Sequence, residues 1–268
     1  MDIKRKYREV VDLGSGSGVL ARDLEEYEGL QNVIMTDASE PMLWRDPSII
    51  DNPSIKLQRI LMDEESLNLS PNAHECIMSC LSLHWVNDLP GTLVQIKNAL
   101  KPDGVFIGAM FGGDTLFELR HVAFGTAFQL AEQERQGGIS ARVSPMTDCR
   151  SMSSLINRAG FSIPTVDIDE VTVHYPSMFE LIDDLRWMGE SNAILNRRPF
   201  LRRDTLLAAA SIYEALYAKT DKEKGTSIPA TFQVIYFIGW KPDASQPKPL
   251  ERGSAERSLK ELGTGSAL

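Results

Sequence analysis

A β-type run that stops abruptly on glycines constrains this chain more than any other feature. Glu9-Val10-Val11-Asp12-Leu13 ends in Gly14-Ser15-Gly16-Ser17-Gly18, and Val19–Glu28 then reads as a helix, with Leu20 and Leu24 four apart and Gly29 as its stop. Strand, glycine turn and helix in that order open a βαβ unit. The glycines let a ligand approach the backbone at the helix N-terminus. The alternation continues. Asn32–Asp37 reads as a second strand, Glu40–Trp44 as a short helix, and Ile55–Met62 and Glu75–Leu83 as the third and fourth strands. Pro90–Leu100 reads as a helix that Asn87 or Asp88 can cap, and Val105–Met110 as a fifth strand. Such alternation predicts right-handed crossovers and an α/β, doubly wound, mostly parallel sheet of Rossmann-like type.

Beyond Phe111 the pattern predicts a helical insertion. Asp114–Gln136 reads as a long helix before Gly137-Gly138, and Arg150–Ala159 as a helix that Thr147 or Asp148 can cap and Gly160 ends. Ile163–Asp169 and Val171–Tyr175 read as β segments, Phe179–Met188 and Asp204–Ala218 as helices, and Thr231–Trp240 as a last strand. After Lys241 the composition turns to Pro, Ser, Gly and charge. The expected organisation is one domain over 1–240, with a cofactor half at 9–111 and a substrate half at 112–240, and a flexible tail at 241–268.

Composition excludes several classes. With 37 acidic against 28 basic residues the net charge is −9, whose field opposes a nucleic-acid binder working through phosphate contacts. No apolar stretch approaches the roughly 20 residues that cross a bilayer. Cys76, Cys80 and Cys149 make no disulfide framework and no zinc spacing, and Cys76 and Cys80 read as small apolar fillers.

The acids around the glycine turn narrow the ligand. The dinucleotide fingerprint wants its third glycine one residue later than Gly18. A carboxylate at Asp12 repels a pyrophosphate and suits a cofactor that is cationic at that end, such as the ammonium and sulfonium of S-adenosylmethionine. Asp37 ends the second strand about 20 residues on, where a carboxylate accepts ribose hydroxyls. Asp63 follows the third strand, where adenine's amine would lie. The bland alternative, that each is a solvated turn residue or cap, stays open and is strongest for Asp63, beside Glu64 and Glu65.

With D-L-G-S-G-S-G at 12–18, D-A-S-E-P-M-L at 37–43 and A-L-K-P-D-G-V-F at 99–106, the chain resembles class I S-adenosylmethionine-dependent methyltransferases. The resemblance implies that Asp12, Gly14, Gly16 and Gly18 hold the methionine end, Asp37 the ribose and Asp63 the adenine, with Ser15 and Ala38 completing the cofactor contacts. The segments 81–90, LSLHWVNDLP, and 112–120, GGDTLFELR, resemble a narrower branch, which holds the biotin-pathway malonyl-carrier methyltransferase and the arginine-hydroxylase assembly factors of mitochondrial complex I. Met188–Asn192, Leu195–Arg198, Ile238–Lys241 and Glu251–Ala255 point to the second of these. That resemblance implies hydroxylation of an arginine on a peripheral-arm subunit of NADH:ubiquinone oxidoreductase, in the mitochondrial matrix and peripheral to the inner membrane. Conventional methyl transfer to a small acid, acyl carrier or protein side chain, and a non-catalytic assembly chaperone, are the competing expectations.

For chemistry, His84 and Trp85 follow the fourth strand at the carboxyl edge, where they could orient or deprotonate a substrate group. Alternatively, Trp85 packs on the sheet edge and His84 is a half-exposed loop residue. Asp114 and Glu190 are the expected substrate contacts. Glu190 suits a bidentate pair with a guanidinium, against the alternative that it is solvated after a helix ended by Gly189. Arg197, Arg198, Arg202 and Arg203 make one basic cluster, a solvated face or a docking patch. No facial triad of iron ligands is readable around the four histidines, so no metal is expected. Few residues precede the first strand, where this fold usually carries lid helices. The sequence therefore reads as lacking its front, along with any targeting segment it would carry.

Overall fold

The computed structural model describes residues 5–50, 52–120, 146–191, 193–194, 202–221, 225–247 and 253–254. Five strands, β1 (Glu9–Leu13), β2 (Asn32–Asp37), β3 (Lys56–Leu61), β4 (His74–Cys80) and β5 (Leu100–Phe111), run parallel. Then come β6 (Ser162–Tyr175), a short β7 (Lys219–Asp221) and β8 (Gly225–Trp240). The sheet order is β3-β2-β1-β4-β5-β8-β6, with β7 paired to β8. Only β8 among the seven strands of that path is reversed, since it lies antiparallel to both β5 and β6.

The helices are α1 (Val19–Asp23), α2 (Glu40–Leu43), α3 (Leu89–Ala99), α4 (Phe117–Arg120), α5 (Cys149–Ala159), α6 (Met178–Trp187) and α7 (Arg203–Tyr217). Of the two capping residues expected at each start, Asp88 caps α3 by accepting from Gly91 N at 3.0 Å, and Asp148 caps α5 by accepting from Ser151 N at 2.7 Å. The first helix is shorter than its periodicity suggests: it gives way to a 3-10 turn at Leu24–Glu26. The helix expected from Asp114 begins at Phe117, because 113–116 form turns tied to Gln233 and Thr231 of β8. Its remainder, and Gly137-Gly138, lie outside the described residues.

Two β segments expected at 163–175 are one strand. Its register with β8 runs from Ser162↔Trp240 to Tyr175↔Ile228, broken only by a shift between Ser162 and Thr165, and this pairing carries β8 back to Gly225. An antiparallel partner distant in sequence decides such extents, and a single strand's composition does not report its partner. The tail expected from Lys241 starts out anchored: Gln246 Nε2 donates to Asp103 Oδ1 at 2.9 Å, and Lys241 Nζ donates to Leu100 O at 2.8 Å.

Alternation along β1 sends Val11 and Leu13 into one core with Ile77, Leu93, Ile96 and Phe106, and Val10 into another with Ala21, Val33 and Leu43. Burying each such side chain contributes about 1.5–3 kcal/mol. A third core joins α6, α7 and β8 through Leu181, Tyr213 and Phe232. Among the described residues no helix is long and apolar enough to cross a membrane. Cys76 is in the core as expected, its thiol pushed up to about 12 by burial, whereas Cys80 is exposed.

Candidate active site

The turn after β1 adopts its shape because glycine stands where other residues would strain. Gly14 has φ 65° and Gly18, the N-cap of α1, has φ 94°. A Cβ on Gly14 would also fall 1.9 Å from Ser82 Oγ and 2.6 Å from Glu64 Oε1, so the backbone approaches its neighbours as closely as glycine allows. Two bonds moor the turn to β2. Ser15 N donates to Thr36 O at 2.8 Å, and Gly16 N donates to Asp37 Oδ2 at 2.8 Å, while Asp37 Oδ1 accepts from Ser39 N at 2.8 Å.

These elements line a cavity of about 840 Å³ at the carboxyl ends of β1, β2 and β4, within the range of small-molecule sites. Asp12, Gly14, Ser15, Gly16, Asp37 and Ala38 all line it. Gly18 does not. Asp12 is 1 % exposed and neither carboxylate oxygen has a hydrogen-bond partner among the described residues. Burial, aided by the nearby Asp37, pushes its carboxyl up to about 8. A buried, unpaired carboxylate facing a cavity fits a cationic ligand, which supplies the missing compensation.

Asp63 is not brought into this lining. It is exposed, and its Oδ1 accepts from Glu65 N at 2.8 Å. The acid that the turn after β3 does present is Glu64, which accepts from Ser82 Oγ at 2.8 Å and whose carboxyl is raised by burial. Sequence reasoning missed Glu64, because nothing in an Asp-Glu-Glu run says which side chain turns inward. It also missed Trp187, 85 % exposed, and Met188 at the cavity's lining; helix periodicity marks neither as a site residue.

Trp85 lines the same cavity and is half-exposed, but His84 does not line it. The His84 side chain is 2 % exposed and packs on Phe111, ring centroids 4.9 Å apart. Its Nε2 lies 2.7 Å from Glu190 Oε1, and the Glu190 side chain is 9 % exposed. Glu190 reaches this position because Gly189, at φ 80°, ends α6 and lets Glu190 N donate back to Leu185 O at 2.8 Å. Glu190 is thus neither solvated nor a lining residue of the cavity. Asp114, exposed, accepts from Gln233 Nε2 at 3.3 Å and stands apart from both. Glu118, absent from the expected set, is 1 % exposed and accepts from Thr231 Oγ1 at 2.6 Å and Thr231 N at 3.2 Å.

Of the basic cluster, Arg202 pairs with Asp204 at 3.0 Å, and Arg197 and Arg198 lie outside the described residues. Among the described residues no group of three His, Cys, Asp or Glu side chains is placed to hold a metal ion.

Strand order 3-2-1-4-5 with a reversed strand inserted before the edge, a glycine turn after β1 and acids after β1 and β2 together define a protein of the class I methyltransferase superfamily. A family model described as a methyltransferase domain matches residues 11–108, and the YcgJ protein of Bacillus subtilis superposes with a TM-score of 0.56 at 13 % identity, over 89 % of this chain and 94 % of that one. Within the superfamily, the mitochondrial arginine-hydroxylase NDUFAF5 of Mus musculus is 49 % identical over 97 % of this chain, which spans 72 % of that protein. A malonyl-[acyl-carrier protein] O-methyltransferase of Xylella fastidiosa is 31 % identical over 94 % of this chain and 80 % of its own length. The chain belongs to the NDUFAF5 arginine-hydroxylase family.

Proposed function

We propose that this chain hydroxylates an arginine side chain of a peripheral-arm subunit of complex I early in its assembly, in the mitochondrial matrix and peripheral to the inner membrane, and binds S-adenosylmethionine at the glycine turn. The observation that carries the reading is the 49 % identity to an arginine-hydroxylase over 97 % of the chain. S-adenosylmethionine, when bound, brings a sulfonium-linked methyl group to the carboxyl edge of the sheet. Asp12 would face its cationic methionine end, Gly14, Ser15, Gly16 and Ala38 would contact it along the turn, and Asp37 would accept from the ribose while still holding the Gly16 amide. Gly18 supports the turn from behind. Asp63 would reach adenine only by turning from Glu65, and Glu64 is the acid already in the lining.

Trp85, with Trp187 and Met188, gives the cavity an apolar rim that excludes water from a seated substrate. His84 and Glu190 act as a unit behind it. Asp114, which accepts from Gln233, would contact the substrate outside the cavity.

Mass spectrometry of a candidate subunit incubated with the full chain tests the reading. A gain of one oxygen on an arginine is expected. The relative at 31 % identity supports a second reading, conventional methyl transfer, which predicts the gain of a methyl group. Unaltered subunit that still co-purifies with the chain would replace both with a non-catalytic assembly role.

A further inference from the structure

A second cavity, of about 240 Å³, opens beside the first at the carboxyl edge of β4 and β5. The 3-10 turn Leu83–Trp85 serves both: Trp85 lines the first cavity, Leu83 and His84 the second. Leu83, Met110, Met146 and Leu155 give the second cavity apolar walls, and its polar lining includes His84 and Asn87. No lysine or arginine is among its described lining residues.

The hydrogen-bond inventory of His84 and Asn87 narrows the ligand, since the third polar lining residue, Thr147, has a hydroxyl that both donates and accepts. His84 Nε2 meets a carboxylate oxygen, which accepts, so Nε2 is the donor of that bond, and a ring with its single proton there presents Nδ1 as an acceptor. That Nδ1 is buried and without a partner among the described residues. Asn87 Nδ2 gives one of its two N–H groups to Glu65 Oε1 at 2.9 Å, and the same side chain, in the cavity lining, carries a carbonyl oxygen as a second acceptor. Two acceptors, apolar walls and the Glu190 carboxylate behind one of them suit a cationic group with several N–H donors on an apolar stem. A guanidinium has five such donors in one plane.

We propose that this second cavity is the pocket for the substrate's guanidinium side chain, with His84 Nδ1 and Asn87 Oδ1 accepting its N–H groups. Glu190 is a positioning residue here. It sets the tautomer of His84 and supplies the charge that balances the guanidinium, and does not touch the substrate itself. The proposal rests on arginine being the substrate residue.

The test uses the full chain with ¹⁵N-labelled histidine and n-propylguanidinium as the probe, followed by NMR. In the free protein His84 should show a protonated Nε2 and a bare Nδ1, and the probe should shift the Nδ1 resonance to saturation in the millimolar range. Glu190→Gln keeps an acceptor for Nε2–H but removes the charge. It should weaken n-propylguanidinium by about tenfold or more, while n-propylurea, the neutral isostere, changes by less than about twofold. Leu155→Trp fills the cavity without touching the pair and should abolish binding of both probes with the fold intact by circular dichroism. A protonated Nδ1 in the free protein, no Nδ1 shift at saturating probe, equal losses for the two probes in Glu190→Gln, or binding that survives Leu155→Trp would each overturn the proposal. Binding is read without turnover, so probe binding with no oxygen gained on the subunit condemns the hydroxylase reading alone, whereas oxygen gained with no probe binding condemns this pocket alone.

Discussion

Gly16 N donates to Asp37 Oδ2 at 2.8 Å, so the glycine turn after β1 is held by the very carboxylate expected to meet the ribose. The same carboxylate accepts from Ser39 N, at its other oxygen. Asp37 therefore shapes the site as well as lining it. Asp37→Ala should lower stability by about 2–3 kcal/mol, as expected for amide bonds to a charged acceptor, and should weaken S-adenosylhomocysteine by more than about tenfold. Denaturant titration and calorimetry check the two effects. A variant of unchanged stability would show that the amides find water instead.

Asp12 makes the ligand-free protein sensitive to alkali. Its carboxyl stands at about 8 in the fold against about 3.9 in the unfolded chain. Between those values the unfolded state binds fewer protons than the native one, so stability falls as pH rises through that window, by at most about 1.4 kcal/mol per unit. Asp12→Asn should flatten the fall of melting temperature between pH 5 and pH 8. Identical slopes in the two proteins would refute a buried, unpaired carboxylate.

The same residue predicts a proton released on cofactor binding. At pH 7 the free Asp12 is mostly protonated, and a cation beside it favours the ionised form. Calorimetry of S-adenosylmethionine binding in two buffers of different ionisation heat should detect that proton in the wild type and lose it in Asp12→Asn.

Gly14→Ala places a methyl group on Ser82 Oγ and Glu64 Oε1 at a residue held at φ 65°. Strain of about 1–3 kcal/mol is expected from the backbone alone. Adding Ser82→Gly should relieve the contact with Ser82 but neither that with Glu64 nor the strain, restoring stability only in part. Full rescue would mean the turn has moved.

Glu118→Ala strips Thr231 N of its side-chain acceptor and leaves Thr231 Oγ1 only the 3.5 Å contact with Thr172 Oγ1, inside the core that joins α4 to β8. Leaving buried donors unmet costs about 1–3 kcal/mol each. Thermal denaturation should therefore show a loss of several degrees or more, with the glycine-turn cavity still able to bind S-adenosylhomocysteine, since Glu118 lies outside it.

Much of the fold was legible because its signals are local. The glycine turn, the caps Asp88 and Asp148, and the alternation of Val10 with Val11 each need only a few neighbouring residues to be read. The extent of the β6–β8 pairing and the anchoring of Gln246 were not legible, since each depends on a partner far along the chain.

By itself, then, the sequence determined the βαβ opening, the glycines whose backbone angles the turn demands, and the acids Asp12 and Asp37 at the strand ends. Each of these follows from short-range geometry that any such segment must obey. Tertiary structure alone decided that Glu64 and not Asp63 turns into the cavity, and that Asp12 is buried without a partner. It alone decided that Glu190 meets His84 across 106 residues. Burial and pairing depend on which elements pack together, and packing is a property of the whole chain.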